Sequence, residues 1–327
     1  MNNDQEITIN LLNPIPITHN FSEEEISGRN PIYSPWNNPD PYMIFHDGVY
    51  YCYTTGWRGV NVLRSDNLES FEHMGHALRV SDQMNYWAPS VLYYEGTFYM
   101  YYSSVPAEQS HDPFAQRLRV ATADNPLGPF IYQKQIFDYW TIDPHVVEKD
   151  GELHLFFSAK GTGPNGNHGT INFYQKMSDP LNVIGSSRIV QYPTLVQEIF
   201  GDTDEYCLEG PFYFEHDGIG FLMYSANRWE DPNYFVGYST IDASLPFDQA
   251  EFLKFPDPYT YRPLIGMDTK FTGMGHNSVT KGPNGEMLIV YHGRPRDTTG
   301  LPGRERDRRL CISILHINGK ELTVEPN

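Results

Sequence analysis

Asp40, Asp143 and Glu209, with His276, are the residues whose types and spacing could do chemistry. Each stands at the opening of one copy of a pattern that recurs five times, beginning at Asp40, Ala88, Asp143, Gly210 and Asn277. Glu209 and His276 lie immediately before the last two of these openings. Paired carboxylates serve general acid and base catalysis when one is held protonated and the other ionised. Crowding three of them into a partly desolvated space raises at least one pKa, which is how a carboxylic acid stays protonated near neutral pH. Taken singly, Asp40-Pro41 and Asp143-Pro144 read as turn or strand caps, and Glu209 as a solvated loop carboxylate. The common register argues otherwise. Caps that follow a repeat would be the same residue in every copy, whereas the second copy carries Ala88.

The elements that position these groups follow from the repeat. Each copy has a short opening, a strand, a turn containing Gly and an aromatic strand ending in small residues, which is the signature of a β-hairpin. The turn glycines are Gly48, Gly96, Gly151, Gly218 and Gly285, and each lies eight positions after its opening residue. Intervals of 48, 55, 67 and 67 residues between them leave room for two further strands and a variable loop per unit. Four strands per unit describe a propeller blade. The period is too long and irregular for a solenoid, and the long amphipathic helices of an α/β barrel are missing. The predicted fold is therefore all-β, a five-bladed β-propeller occupying residues 1–327 as one domain. First strands of blades lie nearest the axis, so the five openings converge at one mouth of the central channel. Either the N-terminal segment, too strand-like over residues 1–30 for a loose tail, or the C-terminal strands must complete the ring.

Composition agrees. Aromatic residues make up 14% of the chain, with Tyr 23 and Phe 19, and Gly 27 and Pro 25 punctuate short runs. A formal net charge of −18 with no basic cluster excludes nucleic acid and anionic lipid as partners. No stretch reaches the ~18 apolar residues that span a bilayer. Three widely spaced cysteines, Cys52, Cys207 and Cys311, read as reduced thiols, and the N-terminus shows no export signal. Both point to a cytoplasmic location.

In their order and shared register, Asn38-Pro39-Asp40-Pro41, Trp87-Ala88-Pro89-Ser90, Ile142-Asp143-Pro144, Leu208-Glu209-Gly210-Pro211, Gly275-His276-Asn277-Ser278 and Arg308-Arg309 resemble family 43 of the glycoside hydrolases over residues 30–320. That resemblance implies Asp40 as general base, Glu209 as general acid and Asp143 as the residue that tunes and orients the acid. It implies inversion at the anomeric carbon, for which the Asp40 and Glu209 carboxyls stand ~6.5–9.5 Å apart around a water. It places His276 beside a cation or its water, with Ca²⁺ in the channel preferred over zinc and no cofactor required for the chemistry. It gives Arg308 to the sugar hydroxyls. Trp87, Trp36 and Tyr86 are candidate stacking platforms.

The expected activity is exo-acting α-L-arabinofuranosidase on arabino-oligosaccharides. A β-xylosidase or an arabinanase would use the same carboxylates, and a sugar-binding propeller without catalysis is the reading from another class. Loops 104–118 and 160–172 are expected to close the mouth into a pocket for exo action, which an imported oligosaccharide would favour. Gly161-Thr162-Gly163-Pro164-Asn165-Gly166 matches a dinucleotide motif in letters, but it runs into a strand rather than a helix and reads as a loop over the mouth. The acidic run 201–205 reads as a solvated approach to Glu209.

Overall fold

A computed structural model describes residues 7–22, 36–296 and 307–325. Twenty-two strands and three short 3-10 turns make up its regular structure, and no α-helix occurs among the described residues. The strands form the five expected blades. Their first strands, each beginning at the axis, are Tyr42–His46, Gln83–Tyr94, Thr141–Lys149, Tyr206–His216 and Phe271–Lys281. Each pairs antiparallel with the strand that follows it.

Four of the five hairpins turn through two residues. Asp47-Gly48, Glu95-Gly96, Asp150-Gly151 and Asp217-Gly218 all have positive φ at both positions, the type I′ geometry whose twist matches the flanking strands. Blade five differs. Lys281 pairs with Met287 there, so five residues intervene.

The aromatic content is explained by burial on both faces of every blade. Five core clusters lie between neighbouring blades, and consecutive residues of one strand point into different clusters. Phe156 packs toward blade four and Phe157 toward blade two, while Tyr101 and Tyr102 divide in the same way. Interior strands therefore read as near-continuous apolar runs rather than alternating ones.

Both termini complete the ring. Arg309–Asn318 and Glu321–Val324 are the third and fourth strands of blade five. Ile17–Thr18 pairs in parallel with the outermost strand of blade one, Phe71–Leu78, and Ile15 joins the core between blades five and one. Within 7–22 only Ile17–Thr18 is a strand; the rest of the expected strand-like segment 1–30 is irregular or lies outside the described residues.

His168–Asp179 is a strand paired with Glu152–Thr162, which disposes of a dinucleotide site. The turn between them does not reach the mouth as expected. Asn165 and Asn167 donate to the Pro193 carbonyl on the outer side of blade three. The run 202–204 is exposed, as anticipated. All three cysteines are buried and free.

Candidate active site

Every blade breaks its inner ladder at the same place. Two residues are skipped between Trp87 and Ser90, Ile142 and His145, Glu209 and Phe212, and Gly275 and Ser278. Asp40 and Pro41 precede the first paired residue of blade one in the same manner. The first skipped residue is left-handed each time, with φ of 55° at Asp40, 39° at Ala88, 56° at Asp143, 61° at Gly210 and 52° at His276. Such bulges re-aim side chains out of the pleat, and Asp tolerates this conformation better than most residues. All ten bulge residues line the central channel.

The shared register thus holds, with two corrections. The equivalent residue of blade five is His276 rather than Asn277, because the longer turn adds one position before Gly285. Glu209 stands one residue before its bulge, where Trp87, Ile142 and Gly275 stand in other blades.

Asp40, Asp143 and Glu209 line one cavity of about 340 Å³ at the channel mouth. Both oxygens of Asp40 are held. Arg308 Nη1 donates to Oδ1 at 2.8 Å and Thr55 Oγ1 donates to Oδ2 at 2.6 Å. Thr55 in turn accepts from the Ala88 amide at 2.8 Å, so the blade-two opening, which has no polar side chain, still serves Asp40 through its backbone. Burial alone would raise the Asp40 pKa, but Arg308, His276 and the Thr55 hydroxyl outweigh it and hold the carboxyl well below its usual range. His292 Nδ1 lies 3.5 Å from Asp40 Oδ1, yet this is no ion pair. That nitrogen accepts the Asp40 amide at 3.2 Å, and burial with Arg308 nearby keeps the ring neutral.

The other two carboxyls move the opposite way. Burial raises Asp143, with Glu209 and Asp40 adding to it and His276 opposing. Burial also raises Glu209, against His276 and a 2.7 Å hydrogen bond from the Tyr234 hydroxyl to Oε1. The pair titrates together, and its proton is retained above the ordinary carboxylate range. Asp143 Oδ2 accepts the Gly210 amide at 3.0 Å, which ties Asp143 to the residue next to Glu209. Environments that push neighbouring carboxyls apart in pKa define an acid and a base.

His276 feels burial, which lowers its pKa, and three carboxylates, which raise it; the carboxylates prevail. Among the described residues no three His, Cys, Asp or Glu side chains converge as metal ligands. The channel beside His276 encloses about 20 Å³, enough for one water-sized occupant.

Trp87 lines the cavity, its indole nitrogen donating to Asn85 Oδ1 at 2.7 Å. The other two expected platforms do not. Tyr86 is fully buried with its hydroxyl on Val80 and Gln83, and Trp36 packs against His19. Arg308 reaches the cavity, with one guanidinium N–H on Asp40 Oδ1. Sequence reasoning missed Thr55, Trp57, Trp229 and Tyr234, which follow the second strands of blades one and four. Those strands return to the mouth and end in small residues, Thr54 and Ser225-Ala226, so the residues after them were the signal to follow. Of the two expected closing loops, 104–118 approaches the rim, with His111 5.2 Å from Trp57, whereas no residue of 160–172 lines the cavity.

The chain is 28% identical over 298 residues to an extracellular exo-α-(1→5)-L-arabinofuranosidase of Streptomyces avermitilis, covering 85% of this chain and 59% of that protein. A protein of the same description from Streptomyces chartreusis is 27% identical, with 80% and 83% covered. The crystal structure of a thermostable family-43 glycoside hydrolase superposes with a TM-score of 0.75 at 30% identity, over 89% of this chain and 93% of that one. A xylan 1,3-β-xylosidase and a probable arabinan endo-1,5-α-L-arabinosidase also match. Two of these relatives are named extracellular, which overturns the expected cytoplasmic location. Buried free thiols carry no information about compartment, and the argument for exo action from import falls with it. The model of the glycosyl hydrolases family 43 matches residues 28–320, and the chain belongs to that family.

Proposed function

We propose that this chain is an inverting, exo-acting α-L-arabinofuranosidase that releases terminal arabinose from arabino-oligosaccharides, and that residues 1–327 form one catalytic domain. The observation that carries the reading is the opposed tuning of carboxyls in a single cavity, with Asp40 held ionised and the Asp143–Glu209 pair holding a proton. Glu209 would donate its proton to the glycosidic oxygen as the bond to the anomeric carbon breaks. Asp40 would take a proton from the water attacking the opposite face, which inverts the configuration and requires carboxyls ~6.5–9.5 Å apart. Asp143 orients Glu209 through Gly210 and titrates together with it. Carboxylates and water suffice for these steps, and none is routed through a cofactor. The exo-arabinofuranosidase names of relatives and the walls of Trp57 and Trp87 support the choice of a terminal pentose.

A β-xylosidase is the second reading, since a xylosidase relative would share the machinery. Turnover of 4-nitrophenyl α-L-arabinofuranoside against the β-D-xylopyranoside decides between them, and proton NMR of the first-formed anomer decides the stereochemistry. On an arabino-oligosaccharide, whose leaving group needs a proton, Glu209→Gln should lower kcat by about 10²–10⁴-fold while sugar binding persists. An unmodified protein that binds sugar yet turns over no glycoside would make this a binding propeller.

A further inference from the structure

We propose that the blade-four loop of residues 227–234 holds both working carboxylates in place, Trp229 by pressing Arg308 onto Asp40 and Tyr234 by hydrogen-bonding Glu209. The inference rests on the roles proposed above for those carboxylates. Trp229 and Tyr234 are positioning residues, and they lie five residues apart on one connection between the second and third strands of the blade.

Arg308 is fixed at its backbone, where its amide donates to Asn37 Oδ1 at 3.0 Å and its carbonyl accepts the Asn38 amide. Its long side chain still has four torsions. The Trp229 ring, with the guanidinium carbon 4.2 Å from its centroid, covers one face of the guanidinium and leaves its edge directed at Asp40 Oδ1. A planar guanidinium stacked on an aromatic face keeps its donors free in the plane. Tyr234 is immobilised from two sides. Its ring lies parallel to His292, with centroids 5.8 Å apart, and rests on Gly275, where a Cβ would stand 2.3 Å from the ring. Its hydroxyl is thereby delivered to Glu209 Oε1 at 2.7 Å. The loop is pinned to blade five between these residues, the Gly273 amide donating to the Pro232 carbonyl at 3.0 Å.

The two arms of the loop act on different halves of the reaction, and that separates them from a merely structural role. An aryl leaving group departs with little help from an acid, whereas a sugar leaving group needs its proton. Tyr234→Phe, which removes only the hydroxyl, should lower kcat about tenfold on an arabino- or xylobiose and less than about twofold on the matching nitrophenyl glycoside. Trp229→Ala should lower kcat about tenfold on both substrates with a smaller change in KM, and Trp229→Phe should recover most of it. Glu209→Gln and Asp40→Asn are measured alongside. If these two keep full turnover, the proposed roles of the carboxylates fail. If they are inactive while Trp229→Ala keeps its kcat, or Tyr234→Phe loses equally on both leaving groups, only the role of the loop is overturned.

Discussion

Asp40 and the Asp143–Glu209 pair face the same cavity, and a few charged neighbours decide which of them carries a proton. Arg308 is the largest influence opposing burial at Asp40, and His276, His292 and Asp143 also face it. Activity should therefore fall on the acid side only below the ordinary carboxylate range, as Asp40 takes up a proton, and on the alkaline side as the raised pair loses its own. Arg308→Met should move the acid limb to higher pH, cutting kcat/KM there roughly tenfold while leaving the alkaline limb in place; a pH profile checks this. Asp143 also has a consequence for stability. Its folded value lies above the ordinary 3.8, so the folded state loses stability as pH rises through that interval and stays penalised above it. Asp143→Asn keeps an oxygen for the Gly210 amide and removes the charge. Its melting temperature at alkaline pH should rise by a few degrees, on the order of 1 kcal/mol, and the gain should vanish below the ordinary carboxyl pKa.

The bulge that opens each blade is the element that gathers these side chains, and it accounts for what the sequence made legible. Five openings in one register, Asp-Pro twice and Gly-Pro once among them, were readable because two-residue turns fix the distance from turn to bulge in four blades. Blade five was misplaced by one position because its turn is longer. Thr55, Trp229 and Tyr234 were missed because the repeat marks only where the second strands end at the mouth and the connections after them differ from blade to blade, and Tyr86 was misread because it turns into the core while its neighbour Trp87 turns into the cavity. Ala88 is the least comfortable of the five bulge residues, an alanine at φ 39°. Ala88→Gly should stabilise the protein by about 0.5–1 kcal/mol in chemical unfolding, because its amide and not its methyl group holds Thr55. Gly275→Ala should do the reverse, since the added methyl group displaces the Tyr234 ring; a cost of about 1–3 kcal/mol with loss of turnover is expected.

At the scale of the whole molecule, a net charge of −18 is compatible with a neutral sugar as substrate, where it would repel a phosphorylated one. Ring closure is what turns residues more than a hundred positions apart into neighbours, so the seam between blades five and one bears directly on the site. The fourth strand of blade five, Glu321–Val324, covers only Leu315 to Asn318 of the third. The edge it leaves bare is taken by the N-terminal segment. The Ile15 amide donates to the Leu310 carbonyl at 2.9 Å, and the Asn13 side-chain amide meets both backbone groups of Ile312, donating to its carbonyl at 2.9 Å and accepting its amide at 2.8 Å. One side chain thus stands in for a residue of the missing strand. Asn13→Ala would leave two partly buried peptide groups without their partner, each costing about 1–2 kcal/mol. Urea unfolding of this variant should show a loss of about 2–4 kcal/mol, with kcat of the folded fraction reduced because Asp40 and Arg308 lie on opposite sides of the seam. An unchanged midpoint would mean that packing of Ile15 alone closes the ring.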